Sequence, residues 1–206
     1  MKKYRAFDDL CDSEIEIIDG RLQYFSQIMD EATAWQLKES LCRNVNWRQD
    51  TIKIAGKVIP LPRLQAWFAD PGLTYTYSSI KLQPAAWLAD LAWVRDQVTQ
   101  ISGYAFNSVL LSRYRDGSDS MGWHSDDEPE LGENPVIASL SLGQIRRFLL
   151  RHDNDDVKDI EIPLEHNSLL LMSGSLQHNW RHSIPKTKRP VGERINLTFR
   201  KIITQN

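Results

Sequence analysis

The sequence predicts an α+β protein: a double-sheet jelly roll with helices packed on one outer face. Three observations lead there. From residue 105 onward short stretches of strand length follow one another: AFNSVLLSRY, VIASLSLG, RRFLLRH, DIEIPL, SLLLMS, a stretch near 178–184, and ERINLTFRK. Turn signals separate them, such as Asp116-Gly117, Gly132 with Asn134-Pro135, and Asp153-Asn154-Asp155. Two helical patterns come before them. An α+β fold with a single antiparallel sheet is the alternative.

Residues 1–28 read as a lead-in with one short strand, EIEII. Asp30 is a good helix N-cap, and Ala34, Leu37 and Leu41 then recur at helical spacing. Residues 50–60, DTIKIAGKVIP, read as a hairpin turning near Ala55-Gly56. A proline-marked loop follows, and LTYTYSSIKL alternates in strand fashion. The second helix has Pro84 in its first turn, presents Trp87, Leu91, Val94, Val98 and Ile101 on one face, and stops at Gly103. The chain has no internal repeat and no low-complexity segment.

The 206 residues suffice for one core, and 41% hydrophobic with 25% charged residues is the balance of an ordinary globular domain. No apolar run is long enough to span a bilayer. The start, MKKYRAFDDLCDSE, has no apolar segment behind its lysines, so secretion is not expected. Cys11 and Cys42 have no CxxC spacing, which argues against a disulfide framework or a cysteine zinc site and suits a reducing compartment. A net charge of −2 does not mark a nucleic-acid binder. The distribution is uneven: residues 181–201 carry Arg181, Lys186, Lys188, Arg189, Arg194, Arg200 and Lys201 against Glu193 alone, and Arg146, Arg147 and Arg151 form a second basic cluster. Such a surface can bind phosphates, and on charge alone a solvated face fits equally well.

Chemistry concentrates in three places. In MGWHSDDEPE, His124 and Asp126 are two residues apart and point the same way on an extended strand. A neutral imidazole beside a carboxylate supplies two ligands of a 2-His-1-carboxylate triad, the arrangement of non-haem Fe(II) oxygenases. Alone, this spacing also fits a surface hydrogen-bonding pair. A third ligand must come from elsewhere, and His178 and His182 in QHNWRHSIP are the better candidates among five histidines. They are four apart, so strand spacing does not separate them. In RINLTFR, Arg194, Asn196 and Arg200 share one face while Ile195, Leu197 and Phe199 share the other. Two fixed cations on a face near a core suit a cavity that holds a carboxylate, because a guanidinium grips one bidentately.

HSD, HSIP and ERINLTFR, with GLTYTYSS, SRYRDGSDSMGWHSDDE and PVIASLSLG in order, resemble the AlkB family of Fe(II)/2-oxoglutarate-dependent dioxygenases over about residues 50 to 201. The resemblance implies a double-stranded β-helix core over 105–206. Residues 1–104 would form an extension with helices and a nucleotide-recognition lid, the two together making one compact domain. It implies Fe(II) on His124, Asp126 and His182, settling His182 over His178. It implies 2-oxoglutarate on Tyr114, Arg194, Asn196 and Arg200, with both guanidiniums on the distal carboxylate, and O2 at the last open position. Tyr75 and Tyr77 would hold an extruded base by stacking, with Arg63, Asp127 and Glu128 near the nucleic acid. The activity implied is oxidative demethylation of bases such as 1-methyladenine and 3-methylcytosine in DNA, releasing formaldehyde and succinate. RNA demethylation or another 2-oxoglutarate-dependent hydroxylation is the alternative. A monomer is expected, with no membrane partner, cytoplasmic in a bacterium or nuclear in a eukaryote.

Two residues depart from the family pattern. Ser112 stands where the family usually has Asn, which weakens co-substrate binding at most. Ala55 stands where relatives acting on duplexes carry a bulky apolar residue that fills the gap left by the base. Alanine cannot plug that gap, so the protein is expected to demethylate single-stranded or distorted DNA faster than intact duplex. Equal rates on the two, measured by formaldehyde release from matched oligonucleotides, would contradict this.

Overall fold

The computed structural model describes residues 5–6, 12–54, 56–73, 75–77, 80–82 and 84–203, and the side chains of 12–52, 56–73 and 84–203. In chain order the elements are β1 (Arg5–Ala6), β2 (Ser13–Ile17), β3 (Gly20–Phe25), α1 (Glu31–Asn44), β4 (Thr51–Ile54), β5 (Lys57–Pro60), β6 (Leu64–Ala69), β7 (Tyr75–Tyr77) and β8 (Ile80–Leu82). Then come α2 (Ala89–Ser102), β9 (Ser108–Tyr114), β10 (Met121–His124), β11 (Ile137–Gly143), β12 (Arg146–His152), β13 (Ile160–Leu164), β14 (Ser168–Ser173), α3 (Leu176–Asn179), β15 (Trp180–Ile184) and β16 (Arg194–Arg200). Two sheets make the jelly roll. One runs β2-β3-β14-β11-β16-β9-β6 and the other β1-β13-β12-β15-β10.

The central strands of the seven-stranded sheet are buried on both faces: every residue of β11 and β14 is buried, and β14 reads as a near-continuous apolar run. One face carries Val109, Leu111, Ala138, Leu140, Leu142, Ile195, Leu197 and Phe199, packed under Ala34, Leu37 and Leu41 of α1 and Leu91, Val94 and Val98 of α2. The opposite face carries Leu110, Tyr114, Ile137, Leu170 and Met172, which meet Phe148, Leu150, Ile162, Trp180 and Ile184 of the smaller sheet. Asp30 caps α1 as expected, accepting from the Thr33 backbone at 2.9 Å. Gly103 ends α2 in the left-handed conformation at φ 75°, which costs glycine least.

The structure differs from the sequence reading in four places. The lead-in holds three strands: β1, which pairs with β13, and β2 and β3, joined at Asp19, whose φ is 53°. The proline-marked loop contains β6, the edge strand of the large sheet. Residues 13–25 and 64–69 therefore extend the jelly-roll sheet from within the N-terminal half. Pro84 lies outside α2, which starts at Ala89. The segment between is extended because Ala85 bridges to Phe68 on the edge of β6. The stretch before β15 is a helical turn, α3, that keeps His178 off the strand. The hairpin of residues 50–60 forms as β4 and β5, with Ala55 outside the described residues.

The second basic cluster is not a free cationic surface. Arg146 is 3% exposed and donates to the carbonyls of Asp116, Asp119 and Pro185. On the same strand, the exposed Arg147 and the half-buried Arg151 pair with Glu161 and Asp159. Glu193, the one acid of the C-terminal basic stretch, accepts from Lys38, Cys42 and Arg113, which ties the start of β16 to α1 and β9.

Leu197 is fully buried on the helix-facing side of β16. Leu197→Ala is expected to lower stability by about 2–5 kcal/mol, read from denaturant unfolding of the ligand-free protein.

Candidate metal centre

β10 and β15 are antiparallel neighbours, and their register sets His124 opposite His182. The register shifts between Met121 and His124, an irregularity of the kind that re-aims side chains beside active sites. The two imidazoles lie 4.2 Å apart between centroids, at 60°. Asp126, two residues past His124, joins them: one potential ligand atom from each of His124, Asp126 and His182 lies within 4.8 Å of the others. His178, the competitor for third place, bonds through Nε2 to the Glu133 carbonyl from the surface turn α3. His182, not His178, is the histidine that the fold brings to His124 and Asp126, a distinction that spacing could not make.

The protonation states suit a cation. His124 Nδ1 lies 2.9 Å from the Gly122 carbonyl, which can only accept, so Nδ1 carries the proton and Nε2 keeps its lone pair. Burial lowers the pKa of His124 and takes that of His182 down to about 3, so both rings are neutral at neutral pH. For Asp126 burial works toward protonation. The Arg200 guanidinium, then His182 and His124, outweigh it and bring the carboxyl to about 2. Arg200 Nη2 donates to Asp126 Oδ1 at 2.7 Å, and Asp126 Oδ2 lies 3.9 Å from His182 Nε2.

From this cluster a cavity runs between the sheets, lined by Ser112, Tyr114, Ser139, Arg194, Asn196, Thr198 and Arg200 among others. The even-numbered residues of β16 face into it, as the alternation in RINLTFR predicts. Arg194 is 1% exposed and donates from Nη2 to Ser141 at 2.8 Å and to Asn196 Oδ1 at 2.5 Å. Its Nε and Nη1 are buried without a hydrogen-bond partner. Tyr114 lies between two cations, with Arg194 at 5.2 Å and Arg146 at 5.5 Å from its ring centroid. Burial lowers the pKa of Arg194 to about 10, so it stays charged. Among the described residues lining the cavity, Asp126 is the one acid, and Arg200 holds it. The cavity therefore has an uncompensated guanidinium at one end and a nitrogen–oxygen cluster at the other.

Arg194 and Arg200 stand six residues apart on one strand, about 20 Å by strand rise, and hold different partners: Arg194 donates to Ser141 and Asn196, Arg200 to Asp126. Arg63 is buried at 2% exposure, and its charge is among those lowering the pKa of His124. Asp127 is exposed in a groove that also contains His124, Trp123, Ser125 and Arg181, while Glu128 is half-buried at the start of a 3-10 turn, Pro129–Leu131. Tyr75 and Tyr77 lie on β7, described in its backbone; their side chains are outside the described residues. The sequence reading missed Gln177, Ser139 and Ser141. All three lie in stretches quoted above, QHNWRHSIP and PVIASLSLG, but what they touch depends on how the strands meet.

A jelly roll with this cluster defines a class, and the comparisons agree. The chain belongs to the 2OG-Fe(II) oxygenase superfamily, whose model matches residues 21–200, and within it to the AlkB family. It is 43% identical over 173 residues to alpha-ketoglutarate-dependent dioxygenase alkB homolog 3 of Bos taurus, covering 80% of this chain and 60% of that one. It is 42% identical over 159 residues to DNA oxidative demethylase ALKBH2 of Homo sapiens, covering 74% of this chain and 61% of that one. The chain thus spans less than two thirds of the length of these relatives. The solved structure of OsALKBH1 superposes with a TM-score of 0.63 at 16% identity, over 92% of this chain and all of that one, a likeness of fold. The cofactor set of the superfamily is Fe(II), 2-oxoglutarate and O2. The residues present fit it: two imidazoles and a carboxylate at one end, and at the other a buried guanidinium with unsatisfied donors.

His182 gives a test of this electrostatic picture in the metal-free protein. Its folded pKa of about 3 lies below the ordinary 6.5, so between those values the unfolded chain binds a proton that the folded chain does not. Stability must then fall as pH falls through that window, by up to about 1.4 kcal/mol per pH unit for this one proton. His182→Asn is expected to flatten the dependence, read from urea midpoints between about pH 7 and pH 5.

Proposed function

We propose that this protein oxidatively demethylates alkylated nucleobases in DNA, with His124, Asp126 and His182 holding Fe(II). Support comes above all from one observation: a His-Asp-His cluster and a buried guanidinium with unsatisfied donors share one cavity. When bound, the iron, O2 and 2-oxoglutarate supply the oxidation of an N-methyl group, which leaves as formaldehyde while the co-substrate becomes succinate and CO2.

The chain's own residues do the rest. Arg194 takes the distal carboxylate of 2-oxoglutarate on its free Nε and Nη1, with Tyr114 beneath it and Asn196 and Ser141 fixing its plane. Arg200 keeps Asp126 ionised through its bond to Oδ1, so that the carboxylate would be available to hold the metal. The Gly122 carbonyl holds His124 in the tautomer that leaves Nε2 to the ion. Methylation at N1 of adenine or N3 of cytosine makes the base cationic, so Asp127 or Glu128 near the mouth selects damaged bases by charge. Arg63 and the ring faces of Tyr75 and Tyr77 complete the base pocket. The protein acts as a monomer and prefers single-stranded or distorted DNA.

The test is formaldehyde release from oligonucleotides bearing 1-methyladenine or 3-methylcytosine, with single-stranded DNA, duplex DNA and RNA compared. Asp126→Ala is expected to reduce release to background. Arg194→Ala is expected to raise the KM for 2-oxoglutarate by about 10- to 100-fold, the worth of a charge-assisted hydrogen bond. Succinate formation without formaldehyde from any nucleic acid would move the oxidation to another substrate class. RNA outpacing DNA would move it to RNA.

A further inference from the structure

The strand ladder accounts for two members of the cluster and not for the third. His124 and His182 are register partners on β10 and β15. β10 ends at His124, and Asp126 lies beyond it in irregular backbone that no ladder bond positions. Yet Asp126 is 1% exposed, and its carboxylate must point at one spot. Arg200 fixes the far end of the side chain through Oδ1. Something must fix the near end.

Gln177 meets that need. It lies on α3, in the stretch that leads into β15 and so to His182, and is 2% exposed. Its Oε1 accepts the backbone N–H of Asp126 at 2.9 Å. Its Nε2 faces Met172 Sδ at 3.9 Å, a cavity wall. A thioether is a weak acceptor, so the bond to Asp126 is the strong one of the two. Without that oxygen the Asp126 N–H would be stranded away from water, which a buried peptide group rarely tolerates.

We propose that Gln177 is a positioning residue for metal binding: it fixes the peptide plane from which the Asp126 carboxylate departs. It thereby ties the segment carrying Asp126 to the segment carrying His182. The assignment rests on reading His124, Asp126 and His182 as the metal ligands. A buried glutamine could instead serve only to fill space, and an apolar residue of similar volume would then replace it without loss.

The experiment is a titration of the metal-free protein with Mn(II), without co-substrate or nucleic acid, followed by thermal shift. Gln177→Leu is expected to weaken Mn(II) binding by about 10- to 100-fold, while Gln177→Glu, which keeps an acceptor oxygen, stays within about threefold of the unaltered protein. Gln177→Asn holds its amide one methylene short and decides the matter if the leucine variant does not fold: it must lose affinity. Unchanged Mn(II) affinity in Gln177→Leu overturns the proposal, as does an equal loss in the leucine and glutamate variants. Asp126→Ala separates the two levels. If it binds Mn(II) like the unaltered protein, the metal assignment fails and this inference with it.

Discussion

Asp126 is an ionised carboxylate shut away from water, and an isolated charge in such a place is costly enough to protonate or to unfold its surroundings. Here it is contained from three directions. Arg200 neutralises one oxygen, the His182 imidazole lies near the other, and Gln177 engages the backbone behind it. Each contact comes from a different part of the chain: the last strand, β15 and the helical turn before β15. The site exists only when all three have come together, so the candidate metal centre is a product of complete folding rather than of a local motif.

β16 is the strand on which this depends most. Its odd-numbered residues belong to the core under α1 and α2, and its even-numbered ones to the cavity. A one-residue slip would exchange the two sets and put Arg194 and Arg200 against leucine and valine. The slip is opposed on both sides, because β11 and β9 pair with β16 over nearly its whole length. Glu193 adds a further anchor at the entry of the strand, since Lys38 and Arg113 hold it in place.

Much of this was legible in the sequence, and the reason is period. The strands after residue 105, the helix faces of Ala34-Leu37-Leu41 and Leu91-Val94-Val98, and the two faces of RINLTFR all follow from local alternation. What was not legible depends on partners distant in sequence. β6 has no strong pattern of its own and becomes a strand because β9 offers an edge. Pro84 suits a first helical turn, yet Ala85 is drawn to Phe68 and the helix starts later. The choice between His178 and His182 rests on where α3 ends. Arg200 reads as an anion binder from its strand position, and its bond to Asp126 depends on a segment distant in sequence.

The β4–β5 hairpin is built differently from the rest. Among the described residues its strands pair with each other and with no other sheet, and its base is pinned where Arg48 bridges to Gln65 and Leu61 bonds back to Asp50. Val58 and Ile59 stand out from it at 68% and 41% exposure. It is a cantilever: a fixed root and an outward arm. A hairpin that stands off the packed sheets in this way tolerates exchange better than the strands it springs from, so this arm is the part of the chain most open to rewriting.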